Sequence, residues 1–328
     1  MPVPTAPLRK PEWLKVRPPQ GERYSWIREQ RRGLGLATVC EEARCPNLAE
    51  CWGHGTATFM VLGDTCTRGC RFCAVRTARR GRPVDPDEPR KLADTIAAMA
   101  LDYIVITSVD RDDLPDQGAS HFAECVQAVK DARPGILVET LIPDFRGDLA
   151  CLRVLAGCGA DVVAHNLEVP ESLTPRVRDT RCSYRQSLGV LRDLKAERPG
   201  LLTKSSLMVG LGEGEDEVLQ AMADLRAVGC DLLTVGQYLR PSEWHLPVAG
   251  YVHPDTFARY EARGREMGFA WVASGPLVRS SYRAGEVFVR SRLGNGLSAN
   301  SERTSWHDPL AVAPLRPTAR LPILSEVP

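Results

Sequence analysis

Short apolar segments rich in Val, Ile and Leu recur through the middle of the chain. A strand that is covered on both faces of a parallel sheet is apolar along its whole length, so this pattern predicts buried parallel strands. The six predicted strands are Thr58–Leu62, Tyr103–Thr107, Ile136–Leu141, Val162–Leu167, Leu202–Val209 and Leu232–Tyr238.

Amphipathic helices are predicted between these strands, because apolar residues recur there at helical spacing. Strands that alternate with helices imply a right-handed βα array, either an open doubly wound sheet or a barrel of six to eight units. The region is short for a full eight-unit barrel of about 250 residues, which favours an α/β partial barrel with ligands at the carboxyl ends of its strands. The helical stripes are Leu92, Ile96 and Met99; Phe122, Cys125, Val126 and Val129; Leu188, Leu191 and Leu194; and Val218, Met222 and Leu225.

The two ends of the chain differ from its middle. Residues 1–20 hold six Pro and residues 291–328 hold five, without apolar periodicity, so both are expected to be extended or mobile. We predict four parts. They are an N-terminal extension over 1–55, a partial barrel over 56–245, a C-terminal segment over 246–290 that closes the site, and a mobile tail over 291–328.

Composition and charge exclude several classes of protein. Of the 328 residues 43% are hydrophobic and 25% charged, which is ordinary for a globular protein. The formal net charge of +1 gives no broad electrostatic footprint for nucleic acid or an anionic membrane. The apolar runs are also too short to span a bilayer, so we expect neither a nucleic-acid nor a membrane partner.

The cysteine count points to metal or catalytic chemistry. Eleven Cys is an odd number, and the chain starts without the apolar region of a secretory signal. We therefore expect a cytoplasmic, reducing location, where clustered Cys serve metals or catalysis. Six of the eleven lie between residues 40 and 73. The other five are predicted to be small buried hydrophobes: Cys125, Cys151, Cys158, Cys182 and Cys230.

The most specific motif is Cys66-Thr-Arg-Gly-Cys70-Arg-Phe-Cys73, directly after the first predicted strand. Three thiolates on one loop can bind one face of a four-iron, four-sulfur (4Fe–4S) cluster. Such a cluster normally takes four Cys, so three leave one iron open to a small molecule. Zinc is the alternative, but structural zinc sites close with four ligands. The next candidate ligand along the chain is His121.

A second motif, Cys40-Glu-Glu-Ala-Arg-Cys45-Pro-Asn-Leu-Ala-Glu-Cys51, lies upstream. Alone it is only moderately specific, since such spacings could belong to zinc or to nothing. Beside the first loop it offers three ligands to a second cluster, whose fourth ligand must come from elsewhere in the chain.

The CxxxCxxC loop resembles that of the radical S-adenosylmethionine (SAM) superfamily. The resemblance implies a partial (βα)6 barrel and SAM bound to the open iron. One electron then cleaves SAM to methionine and a 5′-deoxyadenosyl radical, which removes hydrogen from an unactivated C–H bond. Phe72 matches the position that packs beside the adenine.

Further motifs in order make the chain similar to the lipoyl synthases over about residues 9–286. Ser206 departs from that pattern, since many relatives have Gly there, and residues 291–328 extend past it. Besides the two cysteine motifs, the match consists of Lys10-Pro-Glu-Trp-Leu-Lys15, Gly55-Thr-Ala-Thr-Phe-Met60, Thr107-Ser-Val-Asp-Arg-Asp-Asp-Leu114, His165-Asn-Leu-Glu168, Lys204-Ser-Ser-Leu-Met-Val-Gly-Leu-Gly-Glu213, Tyr238-Leu-Arg-Pro-Ser242 and Arg279-Ser-Ser-Tyr282.

This second resemblance implies a sulfurtransferase that inserts two sulfur atoms, at C6 and C8, into an octanoyl chain amide-linked to a lysine of a carrier domain. Each insertion uses one SAM, and an auxiliary 4Fe–4S cluster is the sulfur source. The resemblance assigns Cys40, Cys45 and Cys51 to that cluster, with a serine as fourth ligand. We place the serine at Ser281, although sequence spacing leaves Ser280 open.

Polar residues at the strand ends are candidate SAM ligands. Asn166 and Glu168 alternate on one strand, so both can face the cavity, and the resemblance assigns them to the SAM ribose or amino-acid part. For Glu168, capping of the next helix is an equal alternative. Arg181 is a candidate partner for the SAM carboxylate, because an Arg fork matches a carboxylate; a surface Arg is the alternative. Remaining candidates are Ser108 and Asp110 as cavity groups and His165 as a structural residue.

The implied partners are octanoylated lipoyl carrier domains, namely 2-oxoacid dehydrogenase E2 subunits and the glycine cleavage H protein. A low-potential electron donor such as ferredoxin or flavodoxin is also implied. One alternative is another sulfur inserter or a radical dehydrogenase, although a biotin-synthase-like enzyme would lack the upstream cysteines. The other alternative is a zinc protein or simple electron carrier, for which a βα array is excessive.

Overall fold

A mostly parallel sheet forms the centre of the protein, whose structure is a computed structural model that describes residues 9–15, 37–38, 58–99 and 103–281. The strands are β1 Ala37–Thr38, β2 Thr58–Val61, β3 Thr65–Cys66, β4 Arg76–Thr77, β5 Tyr103–Ser108, β6 Leu137–Leu141, β7 Val162–Ala164, β8 Leu202–Val209, β9 Leu232–Gln237 and β10 Trp271–Gly275. The main sheet has the order β1-β2-β5-β6-β7-β8-β9-β10, and β3 pairs with β4 in a small separate sheet. Every pairing from β2 to β10 is parallel, while β1 is antiparallel to β2.

Helices follow the parallel strands in turn. They are α1 Glu88–Met99, α2 Ala119–Ala132, α3 Leu149–Gly157, α4 Thr174–Val177, α5 Tyr184–Glu197, α6 Glu215–Ala227 and α7 Pro254–Glu266. Side-chain caps help to start two of them, since Asp148 accepts from the Ala150 N–H and Ser183 accepts from the Gln186 N–H. No helix in the described part of the chain is long and apolar enough to cross a membrane.

The predicted partial barrel is confirmed. All six predicted strands are present, and five of them end within one residue of their predicted bounds. The strand predicted over 162–167 ends at Ala164, because regular pairing with β8 stops there. Glu168, with a left-handed φ of 74°, pairs with Leu207 only as an isolated bridge. A seventh parallel strand, β10, was not predicted. It is short and carries polar and small residues, so its pattern resembles a loop.

The core lies in two places. The predicted helix stripes pack against the outer face of the sheet in two large clusters that include Phe122 and Met222, both fully buried. Inside the barrel, apolar side chains at the amino ends of the strands form a floor. Side chains of a strand alternate between its two faces. The residues two and four positions after each floor residue therefore also point into the barrel interior. The floor residues are Tyr103, Val105, Leu137, Val162, Leu202 and Leu232.

A buried ion pair lies just above this floor. The Lys204 ammonium donates to both carboxylate oxygens of Glu139, at 2.7 and 2.9 Å, and the Tyr103 hydroxyl donates to the same carboxylate at 2.5 Å. Both charged side chains are only 2% exposed. A charge buried this deeply is tolerable only when paired and hydrogen-bonded, so this group closes the lower barrel and leaves the space above it for a ligand.

The predicted division into four parts stays a prediction. The segment predicted over 246–290 contributes α7 and β10, and β10 extends the main sheet beside β9. Most of the extension predicted over 1–55 and the whole tail predicted over 291–328 lie outside the described residues.

Candidate active site

A cavity of about 570 Å³ opens at the carboxyl ends of the parallel strands. Its lining also includes the cysteine loop, the Arg279–Ser281 segment and Lys10 from the N-terminal segment. Ligands of βα sheets and barrels bind at this end, so the cavity lies where the sequence predicts the site. The strand-end residues in the lining are Thr107, Leu141, Asn166, Ser206 and Gly236.

The three cysteines of the predicted loop all line this cavity and are partly exposed. Backbone hydrogen bonds shape the loop: the Cys73 N–H donates to the Cys70 carbonyl at 3.2 Å, and the Ala78 N–H donates to the Cys66 carbonyl at 3.0 Å. Burial, together with the nearby Asp110 carboxylate, raises the pKa of the Cys66 thiol to about 12. The bare loop therefore holds protonated thiols, and binding of iron would release their protons.

Arg68, between the first and second cysteines, anchors the loop from below. Its Nε and Nη2 donate to the two oxygens of Asp112, both at 2.9 Å, and its Nη1 donates to Asp144 at 2.7 Å. Burial alone would raise the pKa of Asp112, but the hydrogen bonds from Arg68 hold this pKa well below its usual range. The Thr67 N–H adds a hydrogen bond to the Asp110 carbonyl at 2.9 Å. The Asp-rich motif at the end of β5 thus fixes the cysteine loop.

The spacing of the loop thiols suits a cluster better than a single zinc ion. A zinc tetrahedron draws its thiolates to within about 4 Å of one another. The described residues contain one group of three side chains of the metal-binding types His, Cys, Asp and Glu whose ligand atoms all lie within 4.8 Å of one another. It consists of Glu88, His121 and Cys125. Glu88 there shares a 2.8 Å hydrogen bond with His121 and accepts another from the Leu62 N–H. The three loop thiols do not form such a group, so at least one pair of them lies further apart than a zinc ion would hold it, and a cluster places each thiolate on a different iron.

Cys182 is a fourth cysteine at this cavity. The predicted burial is confirmed, but its surroundings are polar: Arg68 Nη1 donates to its Sγ at 3.3 Å. A hydrogen bond from the Cys70 thiol lowers the pKa of Cys182, and Arg178 and Arg68 lower it further. The other four scattered cysteines are buried, as predicted: Cys125, Cys151, Cys158 and Cys230.

Asn166 and Glu168 both line the cavity, as the alternation predicts, and the Asn166 side chain hydrogen-bonds the Glu168 carboxylate. A left-handed φ is costly for a residue with a side chain, and two backbone bonds hold Glu168 in it: its N–H donates to Ser206 O at 3.0 Å, and its carbonyl accepts from Met208 N–H at 2.7 Å. Burial raises the pKa of Glu168, while Arg178 opposes that rise. The described turns that follow have no side-chain cap, so the capping alternative is not supported.

The structure does not place Arg181 in the cavity lining. Its guanidinium donates to Asp179 at 2.8 Å, to Asp112 at 3.1 Å and to the Thr67 carbonyl at 2.6 Å, and the side chain is 43% exposed. These bonds brace the back of the cysteine loop. Arg178, by contrast, does line the cavity, and sequence reasoning missed it because the local pattern favours neither residue.

His165 forms part of a buried hydrogen-bond chain, in agreement with the predicted structural role. One ring nitrogen, Nδ1, lies 3.0 Å from the Ile142 carbonyl, and Nε2 lies 2.9 Å from Ser187 Oγ, which accepts from Arg178 at 2.7 Å. Because a carbonyl only accepts, Nδ1 carries the proton and Nε2 accepts from Ser187. Burial and the nearby Arg178 lower the pKa of His165 to about 4. The neutral ring therefore orients Arg178 through Ser187.

The C-terminal serines reach the cavity because of a close backbone approach. A Cβ added to Gly236 would lie 2.1 Å from the Val278 carbonyl oxygen, so only glycine lets the chain pass there. Both Ser280 and Ser281 line the cavity as a result. Phe72 also lines it and packs against an apolar cluster that includes Tyr238.

Two residues that line this space, Ser108 and Arg178, carry polar atoms without partners in the described part of the chain. Among the described residues, Ser108 Oγ and Arg178 Nε are buried and have no hydrogen-bond partner. Asp110 lines the cavity, and burial raises its pKa to about 6 although Arg68 opposes the rise. Unsatisfied groups of this kind are expected where a polar ligand binds. Both Ser108 and Asp110 line the cavity, as predicted.

The predicted ligands of the second cluster, Cys40, Cys45 and Cys51, lie outside the described residues. So does Tyr282, the last residue of the Arg-Ser-Ser-Tyr motif. Their assignment stays a prediction.

Comparison with known proteins gives two family matches. The model of the radical SAM superfamily matches residues 60–225, and that of the N-terminal domain of lipoyl synthase of the radical SAM family matches residues 4–45.

Individual relatives agree with these matches. The lipoyl synthase of Anaeromyxobacter dehalogenans is 60% identical over 285 residues, which cover 87% of this chain and 97% of that protein. The mitochondrial lipoyl synthase of Culex quinquefasciatus is 56% identical over 307 residues, covering 92% of this chain and 81% of that protein. A solved structure of Streptococcus suis SuiB bound to S-adenosylmethionine has a TM-score of 0.52 at 10% identity, over 69% of this chain and 53% of that one. At this low identity the structure shows a shared fold only.

Proposed function

The chain belongs to the lipoyl synthase family of the radical SAM superfamily, and from that premise we propose how its own residues serve the reaction. The enzyme inserts sulfur into an octanoyl chain carried by a protein. An aliphatic C–H bond has no acidity and no leaving group, so acid–base catalysis by side chains cannot activate it. Such chemistry is delegated to a cofactor that the protein binds and orients.

We propose that Cys66, Cys70 and Cys73 bind the 4Fe–4S cluster implied by the superfamily. Their shared cavity, their wide spacing and the anchoring of their loop by Arg68 support this assignment. When bound, the cluster holds SAM at its open iron and supplies the electron that cleaves SAM, which gives the radical that removes hydrogen from the octanoyl chain. The single observation that carries the proposal is that three thiols on one loop face a cavity at the carboxyl ends of the strands.

The polar side of the cavity is proposed to bind SAM. Asn166 and Glu168 offer an amide and a carboxylate to the ribose hydroxyls or the amino group, and Phe72 offers a ring face to the adenine. For the SAM carboxylate we propose Arg178 in place of Arg181, because Arg178 lines the cavity, its Nε has no partner among the described residues, and its Nη1 donates to Ser187, which orients the guanidinium.

For the second half of the reaction we propose that Cys40, Cys45, Cys51 and Ser281 hold an auxiliary 4Fe–4S cluster, which supplies the inserted sulfur. The position of Ser281 in the same cavity as the loop cysteines supports its part in this set. An alkoxide is a hard ligand beside soft thiolates, so it suits a cluster that is dismantled during turnover.

The partners and compartment follow from the same chemistry. We propose lipoyl domains of 2-oxoacid dehydrogenase E2 subunits and the glycine cleavage H protein as carriers, and a ferredoxin or flavodoxin as electron donor. The thiol-rich site requires a reducing compartment such as the cytoplasm.

The test of the first cluster compares two cysteine variants of anaerobically reconstituted protein. Cys73→Ala should lose the site cluster and make no 5′-deoxyadenosine, while Cys158→Ala, at a buried cysteine outside the cavity lining, should keep both. We avoid Cys70 because Cys182 lies against it and could replace it. Continued SAM cleavage by Cys73→Ala would refute the assignment.

The test of the second cluster uses variants that separate the two half-reactions. Cys45→Ala should still cleave SAM but transfer no sulfur, and Ser281→Ala should lower retained iron more than Ser280→Ala does. Normal lipoyl product from Cys45→Ala would refute the donor role.

A further inference from the structure

Four exposed arginines lie in a basic segment, residues 71–80, that begins inside the cysteine loop and continues beyond it: Arg71, Arg76, Arg79 and Arg80. None of them forms an ion pair with any described residue, whereas neighbouring charges are matched. Arg82 pairs with Asp64 at 3.3 Å, and Lys91 pairs with Asp85 at 2.6 Å. The chain as a whole has a formal net charge of only +1, so the positive charge that these arginines leave unpaired among the described residues is local.

Trp244 lies beside this basic segment and is 75% exposed, the highest value among the exposed large hydrophobic side chains of the described residues. Two hydrogen bonds tie its loop to the cysteine loop. His245 Nε2 lies 2.9 Å from the Cys73 carbonyl, and the Leu246 N–H donates to the Arg71 carbonyl at 3.2 Å. The Trp244 ring is itself supported by an edge contact with the His245 ring, at 5.3 Å between centroids.

Both segments border the mouth of the reaction cavity. Phe72 and Cys73 line the cavity from the basic segment, and Arg240 and Pro241 line it from the Trp244 loop. An octanoyl-lysine arm that enters the cavity must leave the body of its carrier domain just outside. We therefore expect the carrier to cover the surface next to these lining residues.

We propose that the arginines Arg71, Arg76, Arg79 and Arg80, together with Trp244, form the docking surface for the carrier, and that the carrier presents acidic residues around its acylated lysine. We call this set the arginine–tryptophan rim. The inference rests on the proposed function and adds to it the chemistry of the partner's contact face. Unpaired charges at a rim steer association and select partners, and exposed Trp and Arg are the residues most often found at binding hot spots. Glu243 is the acidic side chain of the Trp244 loop and reduces the rim charge by one.

The test compares two substrates for the anaerobically reconstituted holoenzyme: an octanoylated carrier domain and a short neutral octanoyl-lysine peptide. In Arg79→Glu/Arg80→Glu the KM for the domain should rise by about tenfold or more, while kcat and the peptide kinetics stay unchanged. Added salt should raise the domain KM of the wild type more than that of the variant. Trp244→Ala should weaken binding of the domain, measured as Kd by calorimetry, and leave the peptide kinetics unchanged.

Arg263→Glu/Arg265→Glu on α7 is the matched control, since it makes the same charge change on another element and should leave both substrates unaffected. An unchanged domain KM in the rim variant, or an equal rise for the peptide, would overturn the proposal. An equal rise of the domain KM in the control variant would also overturn it, because the rise would then come from the change in net charge and not from the rim. Calorimetric binding needs no turnover, so an enzyme that binds the domain at the rim but forms no lipoyl product would contradict the proposed function and not the docking surface.

Discussion

At the scale of single residues, one buried guanidinium holds the cysteine loop in place. Arg68 has a side chain that is 1% exposed and contacts three carboxylates, those of Asp110, Asp112 and Asp144. Asp110 and Asp112 follow β5 and Asp144 follows β6, so Arg68 joins the loop to the ends of these two strands. A buried charge network of this kind contributes geometry more than net stability.

Removing that guanidinium should disturb both stability and cluster binding. Arg68→Ala removes the buried guanidinium that these three carboxylates share, so we expect a loss of about 3–5 kcal/mol in the free energy of unfolding. Iron retained after anaerobic reconstitution should fall as well. Urea unfolding and iron analysis measure the two effects. Arg153→Ala, which removes an exposed pair with Glu197, is the control and should change neither. Full iron content in Arg68→Ala would contradict the anchoring role.

His165 gives the protein a pH dependence of known sign. Its pKa is about 4 in the folded protein, where burial and Arg178 disfavour the charged ring, against about 6.5 in the unfolded chain. The unfolded state therefore takes up a proton between these values, and stability is lost as the pH falls from 6.5 toward 4.

From pH 7 to pH 5 this residue should lower the free energy of unfolding by about 2 kcal/mol. The measurement is urea unfolding of the apoprotein at both pH values, for the wild type and for His165→Gln. The decrease in the wild type should exceed that in the variant by this amount. Equal decreases would show that His165 is not buried as a neutral ring.

At the scale of elements, the approach of the C-terminal segment to β9 decides whether the serines reach the cavity. Gly236→Ala would place a methyl group 2.1 Å from the Val278 carbonyl oxygen, so the backbone of 278–281 must move. We expect SAM cleavage to continue but to become uncoupled from lipoyl formation, with at least about a tenfold loss of product. Gly250→Ala is the matched control, because its added Cβ meets nothing within 4 Å.

The ratio of 5′-deoxyadenosine to lipoyl product measures this coupling. A ratio in Gly236→Ala equal to that of the wild type would show that the position of the serine segment is not needed for sulfur transfer.

Elements with a strong pattern could be predicted from the sequence, and those with a weak one could not. Strands such as β2 are continuous apolar or β-branched segments, so their bounds follow from the residues alone. Strand β10 begins with a half-exposed Trp271 and ends in Ser-Gly, and it is a strand only because β9 offers it a parallel edge. The early end of β7 depends on the left-handed turn at Glu168, which no local residue type indicates.

At the scale of the whole molecule, the barrel divides into a sealed floor and an open mouth. Apolar residues and the Lys204–Glu139 pair fill the lower interior, while the upper interior carries the cysteine loop, polar strand ends and the serine segment.

Only those parts of the candidate site that belong to local sequence motifs could be predicted from the sequence. The cysteine loop and the pair Asn166 and Glu168 follow from spacing and alternation. The choice between Arg181 and Arg178 depends on which guanidinium is already taken by Asp179 and Asp112, which lie in different parts of the chain. The contact of Cys182 with Cys70 depends on folding in the same way, because more than one hundred residues separate them.

The central claim is that three thiols hold a cluster whose chemistry modifies an octanoyl chain. One measurement tests this claim directly. Anaerobically reconstituted protein is given SAM, a strong reductant and an octanoyl-lysine peptide, and 5′-deoxyadenosine and the peptide product are quantified by mass. We predict a peptide that has gained two sulfur atoms, with two molecules of 5′-deoxyadenosine formed for each lipoyl group. A protein that binds iron and cleaves SAM but leaves the peptide without sulfur, or one that binds zinc and cleaves no SAM, would contradict the account.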